Sequence, residues 1–250
     1  MTGKVYLIGA GPGDPELLTL KAVRALGAAD VALVDDMVNR DVLKFLRAGA
    51  RVIEVGKRGG CRSTPQAFIE RQMIRLVRHG LVVARVKGGD PYVFGRGGEE
   101  AGALRNAGIE FEVVNGITAG IGAPAALGIP LTHRDITHGV TFVTGHARGN
   151  DAPDWQALAR AGTTLVIYMG IARLAEIVGE LRAAGVPDGM PVAVVQNGTL
   201  PDQRSLVTCL GAVVEEVVRT GIGSPAVVVM GEVVRLANAR EINDLTRRAA

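Results

Sequence analysis

Segments rich in glycine, aspartate and lysine each follow directly after a short apolar run. Close approach of a ligand to the backbone is easiest at glycine, and Asp and Lys side chains can hold or transfer protons. Such a pattern, repeated along half of the chain, indicates a single site built from several loops. The segments are Gly9–Asp14, Asp35–Asp36, Gly56–Arg58, Lys87–Pro91 and Asn115–Ala119.

The apolar runs before these segments are rich in β-branched residues and lie about a helix length apart. They predict parallel strands joined by crossover helices. Because ligands bind beyond the carboxyl ends of parallel strands, we expect all five segments to gather at one edge of a sheet. The predicted strands are Val5–Ile8, Val31–Val34, Val52–Val55, Val82–Val86 and Phe111–Val114.

The chain changes character after Asn115, where an Ala/Gly-rich helix is predicted at Thr118–Leu127. Strands that lie close together around Thr199–Thr208 indicate hairpin pairing and a mixed sheet. We therefore expect two α/β domains, residues 1–114 with a parallel sheet and residues 115–250 with a mixed sheet, and a cleft between them. The further predicted strands are Val140–Thr144, Thr164–Met169, Val192–Gln196, Ser205–Thr208 and Ala226–Met230.

Composition narrows the functional class. The chain has 250 residues, of which 48% are hydrophobic and 21% charged, as in ordinary globular proteins. Only 4% are aromatic and the net charge is +3, which argues against a nucleic-acid-binding protein. The two cysteines, Cys61 and Cys209, predict no disulfide framework and no metal site. No secretory signal or membrane span is predicted, and we expect a cytoplasmic protein.

The first glycine-rich loop differs from a dinucleotide-binding loop. Its glycines are Gly9, Gly11 and Gly13, and position 14, where a third dinucleotide glycine would stand, holds Asp. Asp14 and Glu16 at the start of the predicted helix would repel a pyrophosphate. An uncharged or cationic ligand remains compatible, and a sulfonium cofactor such as S-adenosylmethionine meets that requirement.

Several motifs together resemble one known family, the tetrapyrrole methyltransferases. The resemblance covers essentially the whole chain in order. A first group of segments carries the family likeness: Gly9–Pro15, Lys87–Pro91, Val93–Glu100 and Gly116–Ala119. A second group is similar to the branch that acts on uroporphyrinogen III: Gly128–Arg134, Thr144–His146 and Thr164–Gly170.

The resemblance implies a two-domain homodimer that binds S-adenosylmethionine and needs no metal, nucleic acid or membrane. The implied reaction is methylation of C2 and C7 of uroporphyrinogen III, which gives precorrin-2. That product feeds sirohaem, cobalamin or haem d1. A fused dehydrogenase and ferrochelatase module, present in some sirohaem synthases, is absent from this sequence, so only methyl transfer is expected.

The resemblance also implies roles for individual residues. Asp35 and Lys57 would handle the proton, Arg96 would act as a substrate clamp or in proton transfer, and Arg134 and His133 would lie near the substrate. The implied cofactor contacts are Pro12, Gly88, Gly89, Asp90, Val93, Thr118, Ala119, Met169 and Gly198.

Several of these residues also have a purely structural interpretation. Asp35 could be a strand-end N-cap and Lys57 an exposed loop lysine. Arg96 could pair with Glu99 or Glu100 at a helix start. The Thr-His-Arg segment at 132–134 could be a structural hydrogen-bond cluster, and Met169 an ordinary core residue.

Rival functions and departures from the family pattern remain open. Related enzymes methylate later corrin intermediates, ribosomal RNA or a modified histidine. Two other classes are a nicotinamide oxidoreductase and a non-catalytic tetrapyrrole or nucleotide carrier. Asn115 replaces a usual Pro, Leu127 a usual Tyr, and Tyr92 a common Phe. None of these changes removes a charged or proton-transfer group.

Overall fold

The chain folds into two compact units, Met1–Thr118 and Ala119–Ala250. The structure, a computed structural model, describes residues 3–56, 64–146 and 152–238. The first unit extends four residues past the boundary expected from the sequence. Its last segment stays tied to the first sheet because the Gly116 amide donates a hydrogen bond to the Asp90 carboxylate, 3.1 Å away.

The first unit is built on a five-stranded sheet whose described pairings are all parallel, as predicted. Its order is β3-β2-β4-β1-β5. The strands are β1 (Val5–Gly9), β2 (Val31–Val34), β3 (Arg51–Glu54), β4 (Val83–Lys87) and β5 (Phe111–Val114).

Helices cover both faces of this sheet, which explains the nearly continuous apolar strands. One face packs on α1 (Leu20–Ala28) and on a 3₁₀ helix at Arg40–Phe45. The other face packs on α2 (Gln66–Arg78) and α3 (Gly97–Asn106). Successive side chains of β4 point to opposite faces of the sheet, and Val83 lies on the face that α2 and α3 cover.

The connections of this sheet diverge between β2 and β4. After β2 the chain moves on to the neighbouring β3, whereas after β4 it crosses β1 to reach β5. Neighbouring strands whose connections leave in opposite directions open a crevice at their carboxyl ends, where ligands of α/β proteins bind. The topology therefore predicts a ligand site at the carboxyl ends of β2 and β4.

The second unit holds a mixed five-stranded sheet in the order β6-β7-β10-β8-β9. Strands β6 and β7 are parallel, the other described pairs are antiparallel, and β8 and β9 form the predicted hairpin. The strands are β6 (Val140–Thr144), β7 (Thr164–Tyr168), β8 (Pro191–Gln196), β9 (Arg204–Cys209) and β10 (Ala226–Met230). Helix α4 (Ala119–Ala125) packs on one face; α5 (Trp155–Arg160), α6 (Leu174–Ala183) and α7 (Val213–Thr220) pack on the other.

Two local predictions were wrong. The helix expected to start at Asp14 is a 3₁₀ turn at Pro15–Leu17, and α1 begins separately after Thr19, whose hydroxyl caps it. Strand β7 ends at Tyr168 because Met169 takes a left-handed backbone conformation, with φ of 54°. Within the described ranges no helix is long and apolar enough to cross a membrane.

Candidate active site

The glycine-rich loops after β1, β4 and β5 pack backbone against backbone. Gly11 and Gly89 exchange hydrogen bonds, with N···O distances of 3.2 and 2.7 Å. A Cβ at Gly9 or Gly116 would collide with main-chain atoms of the neighbouring loop. Glycine is therefore required for the close contact of these loops with one another, in addition to any contact with a ligand.

Asp90 fixes the loop after β4 to the loop after β5. Its Oδ1 accepts a hydrogen bond from the Tyr92 amide at 2.8 Å, and its Oδ2 accepts from the Asn115 side chain and the Gly116 amide, both at 3.1 Å. The carboxylate is buried. Asn115 thus supplies a donor that the proline usual in the family lacks.

A carboxylate caps the short turn after the first glycine-rich loop, at the place where a dinucleotide enzyme would bind pyrophosphate. Asp14 Oδ1 accepts from the Glu16 amide at 2.8 Å and caps the short 3₁₀ turn. The same loop is held from the other side by Asn39, whose side-chain amide donates to the Gly13 carbonyl at 2.8 Å. This geometry agrees with the sequence argument against a phosphate-binding loop.

Four charged residues meet beneath the crevice between β2 and β4. Arg85 donates to Asp35 Oδ1 from a terminal nitrogen at 2.7 Å and to Glu100 Oε1 from Nε at 2.9 Å. Lys87 Nζ lies 3.5 Å from Asp35 Oδ2 and 3.2 Å from Glu100 Oε1. We call these residues the buried charge network. Arg85 and Lys87 thus link Asp35, which follows β2, to Glu100 of α3.

Burial divides this network into an inner and an outer part. Arg85 is 1% exposed, Lys87 3% and Glu100 0%. The side chain of Asp35, at the end of β2, keeps 28% of its surface accessible. Asp35 is therefore the member of the network that a ligand in the crevice can touch.

The proton-handling pair expected from the family resemblance is only half described. Lys57 lies outside the described residues. Asp35 is not the cap of the following 3₁₀ helix, because Asn39 caps it through a hydrogen bond from the Asp41 amide at 3.0 Å. Its carboxylate contacts Arg85 and Lys87 instead, and the sequence reasoning assigned no role to Arg85.

Arg96 stands at the start of α3 with its side chain half exposed. Its guanidinium donates to both carboxylate oxygens of Glu99, at 2.9 and 2.6 Å. This hydrogen bond raises the pKa of the Arg96 guanidinium. The residue has a left-handed backbone with φ of 58°, as does Phe94 with φ of 52°. Two such residues so close together indicate a loop whose shape is imposed by its surroundings.

In the second unit, helix α4 contacts Tyr168 and Gly198. The Gly120 amide donates to the Tyr168 hydroxyl at 2.7 Å, next to the half-exposed Met169. Gly198 packs so closely against Ala123 that a Cβ would meet it at 2.5 Å. Of the residues that the resemblance assigned to the cofactor, Ala119 thus starts this helix, Gly198 packs against it, and Met169 follows Tyr168, which contacts it.

The segment that contains His133 and Arg134 forms a tight turn. His133 and Thr137 exchange backbone hydrogen bonds at 3.2 and 3.0 Å, and His133 Nδ1 accepts from the Asp135 amide at 3.2 Å. The imidazole thus has a local structural role, whereas Arg134 is exposed. Arg134 can offer its guanidinium to a substrate carboxylate, and the Nδ1 contact of His133 leaves the role expected of that residue a prediction.

The residues at the end of the first sheet fit a compact sulfonium cofactor better than a phosphate-bearing one. The crowded glycines allow close backbone approach, and the carboxylates of Asp14 and Asp90 favour a cation. The cofactor contacts that the family resemblance implies in this unit stay a prediction: Pro12, Gly88, Gly89, Asp90, Val93 and Thr118. Among the described residues, no three His, Cys, Asp or Glu side chains cluster as a metal site would require.

Comparison with known proteins points the same way. Residues 4–214 match the sequence profile of the tetrapyrrole (corrin/porphyrin) methylases. A Pseudomonas aeruginosa protein named uroporphyrinogen-III C-methyltransferase is 56% identical over 235 residues, 94% of this chain and 96% of that protein.

Solved structures share the fold over nearly the full length. Uroporphyrin-III C-methyltransferase from Thermus thermophilus, complexed with S-adenosylhomocysteine, is 40% identical with a TM-score of 0.80 and covers 94% of each chain. A cobalt precorrin-4 methyltransferase of cobalamin biosynthesis is 30% identical, with a TM-score of 0.82 over 92% of this chain and 95% of that one. The profile match and these relatives show that this chain belongs to the tetrapyrrole methylase family.

Proposed function

We propose that this protein transfers methyl groups from S-adenosylmethionine to C2 and C7 of uroporphyrinogen III and so forms precorrin-2. The observation that carries the proposal is the 56% identity to a uroporphyrinogen-III C-methyltransferase over nearly all of both chains. Fold similarity alone does not choose the substrate, because the precorrin-4 enzyme has an equally similar fold. The higher identity to the uroporphyrinogen enzymes supports the assignment.

S-adenosylmethionine, when bound, supplies a sulfonium methyl that is already electrophilic. The protein's task is therefore to align this methyl with a pyrrole carbon and to exclude water. Gly88, Gly89 and Asp90 in the first unit would hold the cofactor. Loops fixed by backbone hydrogen bonds, such as the Gly11–Gly89 pair, suit such alignment because they lose little freedom on binding.

A proton must leave the macrocycle after the new carbon–carbon bond forms, because the methyl group arrives as a cation equivalent. Asp35 is the proposed acceptor, since its carboxylate is accessible at the crevice and is held in place from behind. Lys57 remains a proposed partner. Arg96 and Arg134, both exposed, are proposed to pair with carboxylates of the substrate through bidentate hydrogen bonds.

The test is incubation of the purified protein, without oxygen, with enzymatically generated uroporphyrinogen III and labelled S-adenosylmethionine. We expect a product that carries two added methyl groups and has the absorption of precorrin-2. Cofactor binding without methyl transfer to this ring would contradict the proposal and would move the substrate to a later corrin intermediate.

The role of Asp35 is tested by Asp35→Asn, which keeps the shape of the side chain. We expect turnover to fall by about 100-fold or more, the usual contribution of a general base. The affinity for S-adenosylhomocysteine should stay unchanged. Unchanged turnover with a lower melting temperature would assign Asp35 a structural role only.

The proposal includes a homodimer and a cytoplasmic location, as expected for this branch of the family. Sedimentation of the purified protein tests the first, with a mass twice 26.1 kDa expected. Fractionation of cells that express the protein tests the second.

A further inference from the structure

Glu100 lies at the centre of the buried charge network, yet no step of the proposed reaction uses it. Three donors converge on its Oε1: Arg85 Nε at 2.9 Å, Lys87 Nζ at 3.2 Å and Gln66 Nε2 at 3.1 Å. Its Oε2 is buried and has no hydrogen-bond partner among the described residues. All three contacts thus fall on one carboxylate oxygen, two of them from the cations of β4 and one from Gln66 of α2.

Stability does not explain this arrangement. Taking charged groups out of water costs several kcal/mol for each, and apolar side chains of similar volume usually serve a core equally well or better. Arg85, Lys87 and Glu100 stand among the apolar residues that pack β4 on α2 and α3. A buried ionic cluster at such a place is better explained by what it does for the neighbouring accessible group.

The accessible group is Asp35. Its two carboxylate oxygens face different cations, Oδ1 the Arg85 guanidinium and Oδ2 the Lys87 ammonium. Both cations also bind Glu100, so their directions are fixed from two sides. The chain of contacts therefore runs from Glu100 through Arg85 and Lys87 to a carboxylate at the mouth of the crevice.

We propose that Glu100 is a positioning residue that orients Asp35 through the two cations of β4. This inference rests on the proposed function, because it assigns Asp35 the removal of the proton. The four formal charges cancel, two carboxylates against two cations, only when the partly exposed Asp35 is counted with the three buried residues. Glu100 acts on the reaction only by holding Arg85 and Lys87 in the directions that fix the Asp35 carboxylate.

Glu100→Leu tests the proposal directly, because leucine fills the space but accepts no hydrogen bond. With Arg85 and Lys87 released, we expect kcat to fall by about 100-fold, the effect of a misplaced reacting group. KM for S-adenosylmethionine and the affinity for S-adenosylhomocysteine should stay within a factor of about two. Glu100→Gln still offers an oxygen to the same donors, and we expect it to keep at least about a tenth of the parent's kcat.

A matched control is Glu112→Leu. Glu112 is also a carboxylate of the first unit that pairs with two cations, Lys4 at 2.8 Å and Lys21 at 2.5 Å, but it stands on β5 away from the crevice. We expect a lower melting temperature with an unchanged kcat. The contrast separates an effect on Asp35 from a general loss of stability.

The outcomes are distinguishable. A parent protein that does not methylate uroporphyrinogen III contradicts the proposed function, whatever the variants do. An active parent whose Glu100→Leu variant folds and retains full kcat overturns the positioning role. If Glu100→Leu does not fold, the Glu100→Gln and Lys87→Met variants decide. A kcat equal to the parent's in both folded variants overturns the proposal. A lowered kcat with unchanged cofactor affinity in Lys87→Met supports it.

Discussion

The side-chain amide of Asn115 donates a hydrogen bond to the carboxylate of Asp90 over 3.1 Å. This bond joins the loop after β5 to the loop after β4, in parallel with the bond from the Gly116 amide to the same oxygen. A residue that departs from the family pattern thus reinforces a loop that is proposed to hold the cofactor.

Asn115→Ala should therefore weaken cofactor binding without disturbing the sheet. Loss of one hydrogen bond to a buried carboxylate costs about 1 kcal/mol, which corresponds to about a fivefold weaker affinity. Titration calorimetry with S-adenosylhomocysteine measures the change. Asn115→Asp, which brings a second carboxylate against Asp90, should bind more weakly still; equal affinities in all three proteins would contradict the role.

Gly116→Ala should destabilise the first unit, because the added Cβ would collide with the Gly89 carbonyl oxygen. Backbone atoms cannot turn aside as a flexible side chain can, and overpacking of this kind costs about 2 kcal/mol. Urea unfolding measures the loss. Gly102→Ala in α3 is the control: its Cβ meets nothing within 4 Å, and alanine favours a helix by up to about 1 kcal/mol. A Gly116 variant as stable as the parent would show that the loops separate easily.

Arg96→Ala should weaken substrate binding with little effect on stability. Its ion pair with Glu99 is exposed, and such pairs contribute about 1 kcal/mol at most. Loss of a guanidinium that binds a substrate carboxylate should raise KM for uroporphyrinogen III by about tenfold or more. Arg219→Ala is the control, since Arg219 forms an exposed ion pair of the same i,i+3 spacing with Glu216 on α7. Equal KM values for the two variants would leave Arg96 a helix-start residue only.

Glu112 should make the first unit sensitive to acid. Hydrogen bonds from Lys21 and Lys4 lower the pKa of its carboxyl from 4.5 to about 2. The folded state therefore keeps the charge where the unfolded chain takes up a proton, and the stabilisation is present above about pH 4.5 and is lost as the pH falls to about 2. Because the side chain is partly exposed, the contribution is about 1 kcal/mol or less.

Unfolding of the parent and of Glu112→Gln at about pH 6 and about pH 2.5 measures this contribution. The difference between the two proteins should be largest at the higher pH and should narrow at the lower one. The same difference at both values would mean that the two lysines do not stabilise the charged form.

The strands were predictable because their residues have a strong preference for β-structure and are followed by residues that end a strand. Short β-branched runs ended by glycine or aspartate gave the sheet strands to within one or two residues, as at Val31–Val34 and Phe111–Val114. The start of α1 was less predictable, because Asp14 and Thr19 are both good caps only five residues apart. Which of them begins the helix depends on Leu18, whose extended backbone interrupts it.

The buried charge network was the larger omission, although part of its signal was present in the sequence. Arg85 and Lys87 alternate with the buried Ala84 and Val86 in a central strand, so the period of two places both charged residues on one face. Glu100 lies on the helical stripe of Gly97, Ala101 and Leu104, which is the buried side of α3. Their contact with Asp35 needs the strand order, which places β4 next to β2 and is not contained in local pattern.

The charges of the buried charge network cancel when Asp35 is included, so the network does not attract a polycarboxylate substrate from a distance. The rate of substrate capture and the rate at saturating substrate therefore depend on different charged residues. Long-range attraction has to come from exposed cations such as Arg96 and Arg134, whose fields dissolved ions screen within about 10 Å at 0.1 M salt. Arg85, Lys87 and Glu100 lie out of reach of those ions. Raising the salt concentration should therefore lower the rate at which the substrate is captured. The rate at saturating substrate should change little with salt concentration.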